Sequence, residues 1–146
     1  MIAIDTNVLL HYLLQDDASQ SAKATKLLSG NNRILITDVV LSETIWTLKG
    51  KKYKLSKDDL LLVIDQLFKE PNLTFEDGQT VWRALNDFRF TQPVKVGTKK
   101  KDADFSDALI LEKSKYDTKR KNEHFDGLYT FDVAAQQLER CCKTTK

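Results

Sequence analysis

The stretch IAIDTNVLL at residues 2–10 decides the fold class of this chain. It opens with a short apolar run that closes on the carboxylate of Asp5, a pattern typical of a buried β-strand that reaches the edge of its sheet. Apolar side chains then recur at the spacing of an amphipathic helix, at Val8, Leu9, Tyr12 and Leu13. The stretch therefore predicts a strand over residues 2–5 that passes directly into a helix over residues 6–14.

The rest of the chain repeats this alternation of short strands and longer helices. Apolar periodicity, Gly and Pro positions and the capping pair Ser56 and Asp59 predict helices over residues 20–28, 38–49, 56–70, 78–88, 104–116 and 132–138. Strands are predicted at residues 33–37, 73–75 and 127–130, with a basic loop at 92–101 and no clear strand in the closing CCKTTK. The alternation predicts an α/β protein with a mostly parallel sheet.

The length of 146 residues predicts a single domain, 1–146, since two domains need more chain. The sequence has no run of about 18 apolar residues, so no membrane-spanning helix is predicted. The first residues lack the basic segment and cleavage site of a signal peptide. The two cysteines, Cys141 and Cys142, are adjacent and form no disulfide framework. These features predict a cytoplasmic protein and leave the role of the cysteines open.

The net charge of +2, from 23 basic and 21 acidic residues, indicates no particular partner, but the charge is unevenly distributed. Residues 95–101 hold four lysines and no acid, and residues 113–121 hold five basic residues against Asp117. Runs of this kind suit contacts to the phosphates of a nucleic acid. Taken alone, they are more often solvated surface, and both interpretations stay open.

Four acids are candidates for a shared site. Asp5 ends the first predicted strand, Asp132 follows the strand at 127–130, and Asp107 lies in the first turn of its helix. In parallel sheets, ligands collect outside the carboxyl ends of the strands, so acids at several strand-to-helix junctions gather negative charge at one point. Glu43 differs, because it lies on the second turn of its helix and has to reach toward the same end.

A structural interpretation competes with this one, because Asp is a preferred helix N-cap. Asp5 and Asp132 can each cap a helix, and Asp104 with Asp107 has the spacing of a capping box. Glu43 can be an ordinary exposed helix residue. For any one of these acids, capping is the more common role.

Two features favour a site for the set as a whole. The triplet Asp5-Thr6-Asn7 holds more polar side chains than one cap needs. Glu43 interrupts the apolar stretch at 39–46, which predicts a partly buried carboxylate. Such a carboxylate needs a partner, and a divalent cation is one candidate.

Four pieces of sequence occur in the order and at the spacings of a known family: IDTNVLL at 4–10, LSE at 41–43, DFSDALI at 104–110 and TFD at 130–132. Through them the chain resembles a PIN-domain ribonuclease, of the kind that forms the toxin half of VapBC toxin–antitoxin pairs. The resemblance implies a three-layer α/β/α sandwich with a mostly parallel central sheet of four to five strands. It also implies a homodimer and a small antitoxin partner.

The resemblance further implies roles for single residues. Asp5, Asp107 and Asp132 are expected to bind the metal, the last directly or through water, and Glu43 is expected to position or deprotonate the attacking water. The supporting polar residues that it implies are Thr6, Asn7, Asp104 and Thr130. The chain departs from the family pattern in a longer, charged segment at 116–125 and in its ending, which leaves the choice of RNA open.

The chemistry expected from these residues is hydrolysis of RNA phosphodiester bonds with Mg²⁺ or Mn²⁺. Such cations take oxygen ligands and lower the pKa of a bound water. The two histidines, His11 and His124, lie in a predicted helix and a charged loop without a ligand pattern. By resemblance, cleavage leaves a 5′-phosphate and a 3′-hydroxyl. Candidate contacts to RNA phosphates are Lys99, Lys100, Lys101 and Lys113.

Two other functions remain possible from the sequence. A haloacid-dehalogenase-type phosphatase also places an Asp after its first strand, but it needs a second Asp two positions later, where this chain has Asn7. A non-catalytic module that binds RNA or protein can keep the same fold without the reaction. The presence of all four acids favours the nuclease over this module.

Overall fold

Two units make up this structure, a computed structural model that describes residues 1–143 of the chain. The first unit is Met1–Gly78 and the second is Gln79–Lys146. Each unit has its own paired strands and its own buried apolar side chains. Within the described residues, no helix combines the length and the apolar composition that crossing a membrane requires.

The first unit is built on a parallel sheet of three strands, with the second strand in the centre. The strands are β1 (Ile2–Ala3), β2 (Ile34–Ile36) and β3 (Leu73–Phe75). The helices of this unit are α1 (Thr6–Leu14), α2 (Ala18–Leu28), α3 (Asp38–Lys49) and α4 (Lys57–Lys69). Because β1 and β2 run parallel, their carboxyl ends lie at the same edge of the sheet, where α1 and α3 begin.

The core of the first unit is centred on β2, whose Ile34 and Ile36 are both 0% exposed. The helices add a set of nearly fully buried aliphatic side chains: Leu9, Leu41, Leu48, Leu60, Ile64 and Leu67. Burying one such side chain stabilises a fold by about 1.5–3 kcal/mol, so these residues fix the positions of the helices.

The helix starts of the first unit follow capping residues in the sequence. The side chains of Asp5, Asp17, Thr37 and Ser56 each accept a hydrogen bond from a backbone N–H in the first turn of the helix that follows. The bounds of α1 and α3 agree with the prediction. Helix α2 begins two residues before the predicted start at 20, because Asp17 caps it.

The second unit holds two long helices and two pairs of strands. The helices are α5 (Gly78–Phe90), which starts at the border residue, and α6 (Phe105–Arg120). An antiparallel hairpin joins β4 (Val94–Val96) to β5 (Lys99–Lys101), and β6 (Leu128–Thr130) pairs in parallel with β7 (Cys141–Lys143). The core contains Phe88 and Phe105, whose ring centroids are 6.0 Å apart.

The prediction of a basic loop at 92–101 is wrong, because this segment forms the β4–β5 hairpin. Its turn places Gly97 at φ 63, in the left-handed region that glycine adopts without strain. The alternation of Val94 and Val96 with polar residues is a strand signal. The strands were not predicted because the segment is rich in lysine, which is rare in strands except exposed ones.

Three predictions for the chain after residue 104 are also wrong. The charged segment predicted as a loop from 116 is helical as far as Arg120, where Asp117 and Lys121 form an ion pair of 2.6 Å across one turn. The helix predicted at 132–138 is only a short 3-10 turn, Ala135–Gln137. The ending contains strand β7, while residues 144–146 lie outside the described part.

The α/β class is as predicted, but the strand count of the parallel sheet is not. Four to five strands were expected in one central sheet, and the sheet of the first unit has three. The strand predicted from GLYT, now β6, pairs with β7 within the second unit. The pairing was not predicted, because each of its two strands is only three residues long and carries no clear strand pattern.

Candidate active site

Asp5 occupies the point where β1 ends and α1 begins. Its backbone is extended, and its Oδ1 accepts a hydrogen bond from the N–H of Val8 at 3.0 Å. The side chain is exposed. A cap uses one carboxylate oxygen, so capping by Asp5 is compatible with a ligand on the second oxygen.

Glu43 lies one turn into α3 and is linked to the start of α1. The hydroxyl of Thr6 donates a hydrogen bond of 2.6 Å to Oε2 of Glu43. The expectation that Glu43 is partly buried is wrong, because its side chain is exposed at the edge of the sheet. The apolar residues around it in sequence belong to other faces of α3, such as the buried Leu41 and Ile45. Since Thr6 adjoins Asp5, the contact gathers two candidate acids at the carboxyl edge of the sheet.

Asn7, the third residue of the triplet, lines a cavity of about 500 Å³ in the first unit. Asp5 is part of the same wall. The cavity lies along α1 and α2, whose residues supply the rest of its lining. A space suited to a small ligand therefore opens directly beside a candidate catalytic carboxylate.

In the second unit, Asp104 and Asp107 form the start of α6. Oδ2 of Asp107 accepts a hydrogen bond of 2.9 Å from the N–H of Asp104, the second half of a capping box. Asp107 is half-buried. Burial raises the pKa of the nearby Cys141 thiol, and the negative charge of Asp107 raises it further. The capping interpretation of this pair therefore holds, and it still leaves Asp107 as a source of negative charge.

Asp132 follows β6 and organises the turn after it. Its Oδ1 accepts hydrogen bonds from the N–H groups of Ala134 and Ala135, at 2.9 and 3.2 Å. Oγ1 of Thr130 accepts a bond of 3.0 Å from the backbone N–H of Asp132. The Nζ of Lys101, on the hairpin, lies 3.4 Å from Oδ2 of Asp132. One oxygen of Asp132 thus serves the turn, and the other faces a cation.

The four predicted acids fall into two local groups, one in each unit. Asp5 and Glu43 belong to the first unit, and Asp107 and Asp132 to the second. Over residues 1–143, no three or more His, Cys, Asp or Glu side chains are close enough together to hold a metal ion. Mg²⁺ usually binds through one or two carboxylates, with waters and substrate phosphates completing its shell. The oxygen donors of Asp5 and Glu43 fit that kind of site.

The lysines predicted to contact RNA are exposed. Lys99, Lys100 and Lys101 form β5, and Lys113 lies on α6. The second basic run also borders a cavity of about 720 Å³ in the second unit, whose basic residues are Arg83, Lys115, Lys119 and Arg120. Both basic runs are therefore placed where phosphates can reach them.

One titratable pair was not predicted from the sequence. Burial raises the pKa of Asp87 to about 7, and the carboxylate of Glu112 beside it adds to the rise. Glu112 is only 7% exposed and forms an ion pair of 3.2 Å with Lys115. The signal in the sequence was Glu112 itself, an acid directly after the apolar run ALIL at residues 108–111 of α6.

The family model described as PIN domain matches residues 2–118. No curated protein matches the sequence. Among solved structures, the crystal structure of Mycobacterium tuberculosis VapC20, named as a sarcin–ricin loop cleaving toxin, matches with 12% identity and a TM-score of 0.40. That match covers 91% of this chain and 89% of the other.

Proposed function

We propose a function from one premise, that this chain belongs to the PIN domain family. The chain is a metal-dependent endoribonuclease that uses Mg²⁺ or Mn²⁺ at a site formed by Asp5, Glu43, Asp107 and Asp132. The family match covers residues 2–118 and so includes residues of both units, and the proposed functional domain is the whole range 1–146.

The observation that carries this proposal is the hydrogen bond from Thr6 to Glu43. It links the IDTN segment to the LSE segment, two of the four pieces on which the resemblance depends. A helix cap alone explains Asp5, but it does not explain why the next residue holds a second carboxylate from another helix at 2.6 Å. A site that needs two acids at one edge of the sheet explains both.

When bound, the metal supplies a water of lowered pKa and neutralises charge that develops on the phosphate. The residues of the chain do the positioning. Asp5 and Asp107 would hold the cation, Asp132 would hold it directly or through water, and Glu43 would orient the attacking water and take its proton. Thr6 fixes Oε2 of Glu43 and leaves Oε1 as the acceptor for that proton.

Lys101 has a role at the same site, because its Nζ lies 3.4 Å from Asp132. A cation there partly offsets the charge of the carboxylate before the substrate arrives. The other exposed lysines of β5, Lys99 and Lys100, hold the phosphates of RNA beyond the cleaved bond. Such contacts set affinity and carry no sequence information.

The cellular role that fits this enzyme is the toxin of a toxin–antitoxin pair. The four family segments support it, and they are of the VapC type. The partners proposed with it are a small antitoxin that covers the carboxylates and a second copy of the chain, in the cytoplasm. If the chain is toxic to cells and co-expression of a candidate antitoxin restores their growth, the toxin role is supported. If the chain cleaves RNA but is not toxic in cells, the toxin role is contradicted.

A cleavage assay with a matched pair of variants tests the proposal. Labelled structured RNAs are incubated with Mg²⁺, with Mn²⁺ or with EDTA, using the parent, Asp5→Asn and Asp17→Asn. Asp17 caps α2 as Asp5 caps α1, accepting the N–H of Gln20 at 3.0 Å, but it has no proposed catalytic role. Asparagine caps helices as well as aspartate does, so both variants should fold.

We expect metal-dependent cleavage by the parent and by Asp17→Asn, and a loss of about 100-fold or more in Asp5→Asn. Equal activity in Asp5→Asn contradicts the proposed site. Excess metal should also raise the melting temperature of the parent, since a ligand bound only by the native state stabilises it.

The two rival functions make different predictions in the same assay. Hydrolysis of a generic phosphomonoester favours the phosphatase, although Asn7 stands where that mechanism needs an acid. RNA binding with no cleavage under any metal favours the non-catalytic module.

A further inference from the structure

The cavity along α1 and α2 is lined mostly by residues that have no role in the proposed reaction at Asp5. Its volume of about 500 Å³ lies in the range of small-ligand sites. Asp5 and Asn7 are at one part of its lining, and most of the remaining lining comes from α2. A ligand in this space therefore lies next to the bond that Asp5 helps to cleave.

The lining combines three kinds of group within the first unit. Val8 and Leu27 supply apolar surface, Gln20 supplies an amide, and Lys23 supplies a positive charge. Gln20 and Lys23 are both exposed, so their polar ends are accessible. A nucleotide fits these groups. Its base can lie against the apolar wall, the edge of the base can form hydrogen bonds with the amide, and its phosphate can bind the cation.

His11 adds an aromatic ring that is held in place. Its Nδ1 lies 3.3 Å from Oδ1 of Asp16, and its side chain is 25% exposed. The hydroxyl of Tyr53 donates a hydrogen bond of 3.4 Å to the other oxygen of Asp16. A ring oriented before the ligand arrives loses little conformational freedom on binding. Histidine rings stack on unpaired bases in RNA-binding proteins.

We propose that this cavity binds one unstacked nucleotide of single-stranded RNA, adjacent to the cleaved phosphodiester. His11 stacks on the base, Gln20 reads its edge, and Lys23 binds its phosphate. The inference rests on the proposed function, because Asp5 relates the cavity to the cleaved bond. It adds a determinant of sequence choice, since the lysines of β5 contact the backbone only.

Binding of a short, fluorescently labelled single-stranded RNA in EDTA tests the cavity without cleavage. The variants are His11→Ala and Lys23→Ala, and the control is Lys26→Ala, an exposed lysine of α2 outside the cavity. We expect each cavity variant to weaken binding by about ten-fold, the effect of removing the stacking on one base or the cation at one phosphate. The control should stay within about two-fold of the parent.

A second variant separates stacking from folding. His11→Phe keeps an aromatic ring but cannot interact with Asp16, so it should retain most of the affinity that His11→Ala loses. If His11→Phe binds as poorly as His11→Ala while both melt like the parent, the stacking role of His11 is wrong.

Base choice is read by sequencing the products from an RNA library with randomised positions around the cut. Gln20→Ala should change the preferred base at one position beside the cleaved bond and leave the other positions as they are. Unchanged preference in Gln20→Ala, together with unchanged binding in His11→Ala and Lys23→Ala, overturns the inference.

The outcomes also separate this inference from the proposed nuclease function. If the parent never cleaves RNA but His11→Ala and Lys23→Ala lose binding, the cavity is a nucleotide site and the nuclease proposal fails. If the parent cleaves RNA and all cavity variants bind and cleave like Lys26→Ala, the nuclease proposal stands and the cavity has no role in it.

Discussion

Thr6 is the residue on which the candidate site depends most directly. Its hydroxyl connects α1 to Glu43 on α3, at 2.6 Å, next to Asp5 in sequence. A hydrogen bond to a charged acceptor is shorter and stronger than one between neutral groups, so this interaction favours one orientation of the exposed Glu43 carboxylate. In the proposed site, Thr6 acts through Glu43 as a positioning residue.

Replacing Thr6 by valine removes the hydroxyl and keeps the shape of the side chain. We expect kcat to fall by about ten-fold with KM nearly unchanged, because Glu43 loses its orientation while the binding of RNA persists. Thr6→Ser should restore most of kcat, since serine supplies the same donor. A Thr6→Val enzyme with the kcat of the parent would show that Glu43 needs no such support.

Asp87 gives the molecule a pH dependence that is separate from catalysis. Its pKa, raised by burial and by Glu112 to about 7, lies above the ordinary value of 3.8. The native state therefore binds a proton that the unfolded chain releases, so this group's contribution to stability is present below about pH 4 and is lost as the pH rises through about 7.

Asp87→Asn mimics the protonated carboxyl group at every pH. Relative to the parent, we expect its melting temperature to be higher at pH 8, by about 3 °C or more, and similar at pH 5. Lys115, which lowers the pKa, and Glu139, which raises it, remain in place in both proteins. Melting curves at the two pH values decide the point, and a destabilised variant at pH 8 would contradict the assignment.

Helices were predicted from the sequence more accurately than strands. The bounds of α1 and α3 were readable because capping side chains and apolar periodicity are local signals. The β4–β5 hairpin was missed because its lysines outnumber its valines, and β7 because a strand of three residues has no pattern of its own. The pairing of such short strands is a tertiary effect that local patterns do not encode.

The acids of the candidate site were first singled out by their positions next to predicted strands and helices, and the family segments then implied a role for each. Capping by Asp5 and by the pair Asp104 and Asp107 was also predicted and is confirmed, whereas Asp132 accepts hydrogen bonds within a turn and caps no helix of the predicted kind. The burial of Glu43 was predicted wrongly, because the apolar neighbours in sequence occupy other faces of the same helix. The cavity beside Asp5 could not be predicted, since it depends on how α1 packs against α2.

The β4–β5 hairpin carries a prediction about RNA affinity. Neutralising Lys99 and Lys100 to alanine should weaken RNA binding and reduce the slope of log affinity against log salt by roughly 0.7 for each phosphate that a lysine no longer neutralises. Lys101 is kept, because it pairs with Asp132. Lys51→Ala with Lys52→Ala removes the same charge from an exposed segment of the first unit.

Binding assays from low to high salt compare the two double variants. The hairpin variant should have the shallower salt dependence, and the control should follow the parent. Equal slopes in both variants would show that the lysines of β5 are solvated surface that does not touch RNA.

For the whole molecule, the broadest observation is membership of the PIN domain family. The PIN domain match runs from residue 2 to residue 118, and the four candidate acids are divided between the units two and two. Among residues 1–143 the acids form no cluster of three or more that could hold a metal. The central proposal is that Asp5, Glu43, Asp107 and Asp132 all take part in the reaction, and it rests on the four family segments.

Single-turnover cleavage of one RNA by four variants tests that claim most directly: Asp5→Asn, Glu43→Gln, Asp107→Asn and Asp132→Asn, each checked for a melting temperature near that of the parent. Residues that act as a unit lose activity together, so we expect each variant to fall by about 100-fold or more, and a double variant to fall little further. If Asp107→Asn and Asp132→Asn cleave like the parent while Asp5→Asn and Glu43→Gln do not, the reaction belongs to the first unit alone and the four-acid site is wrong.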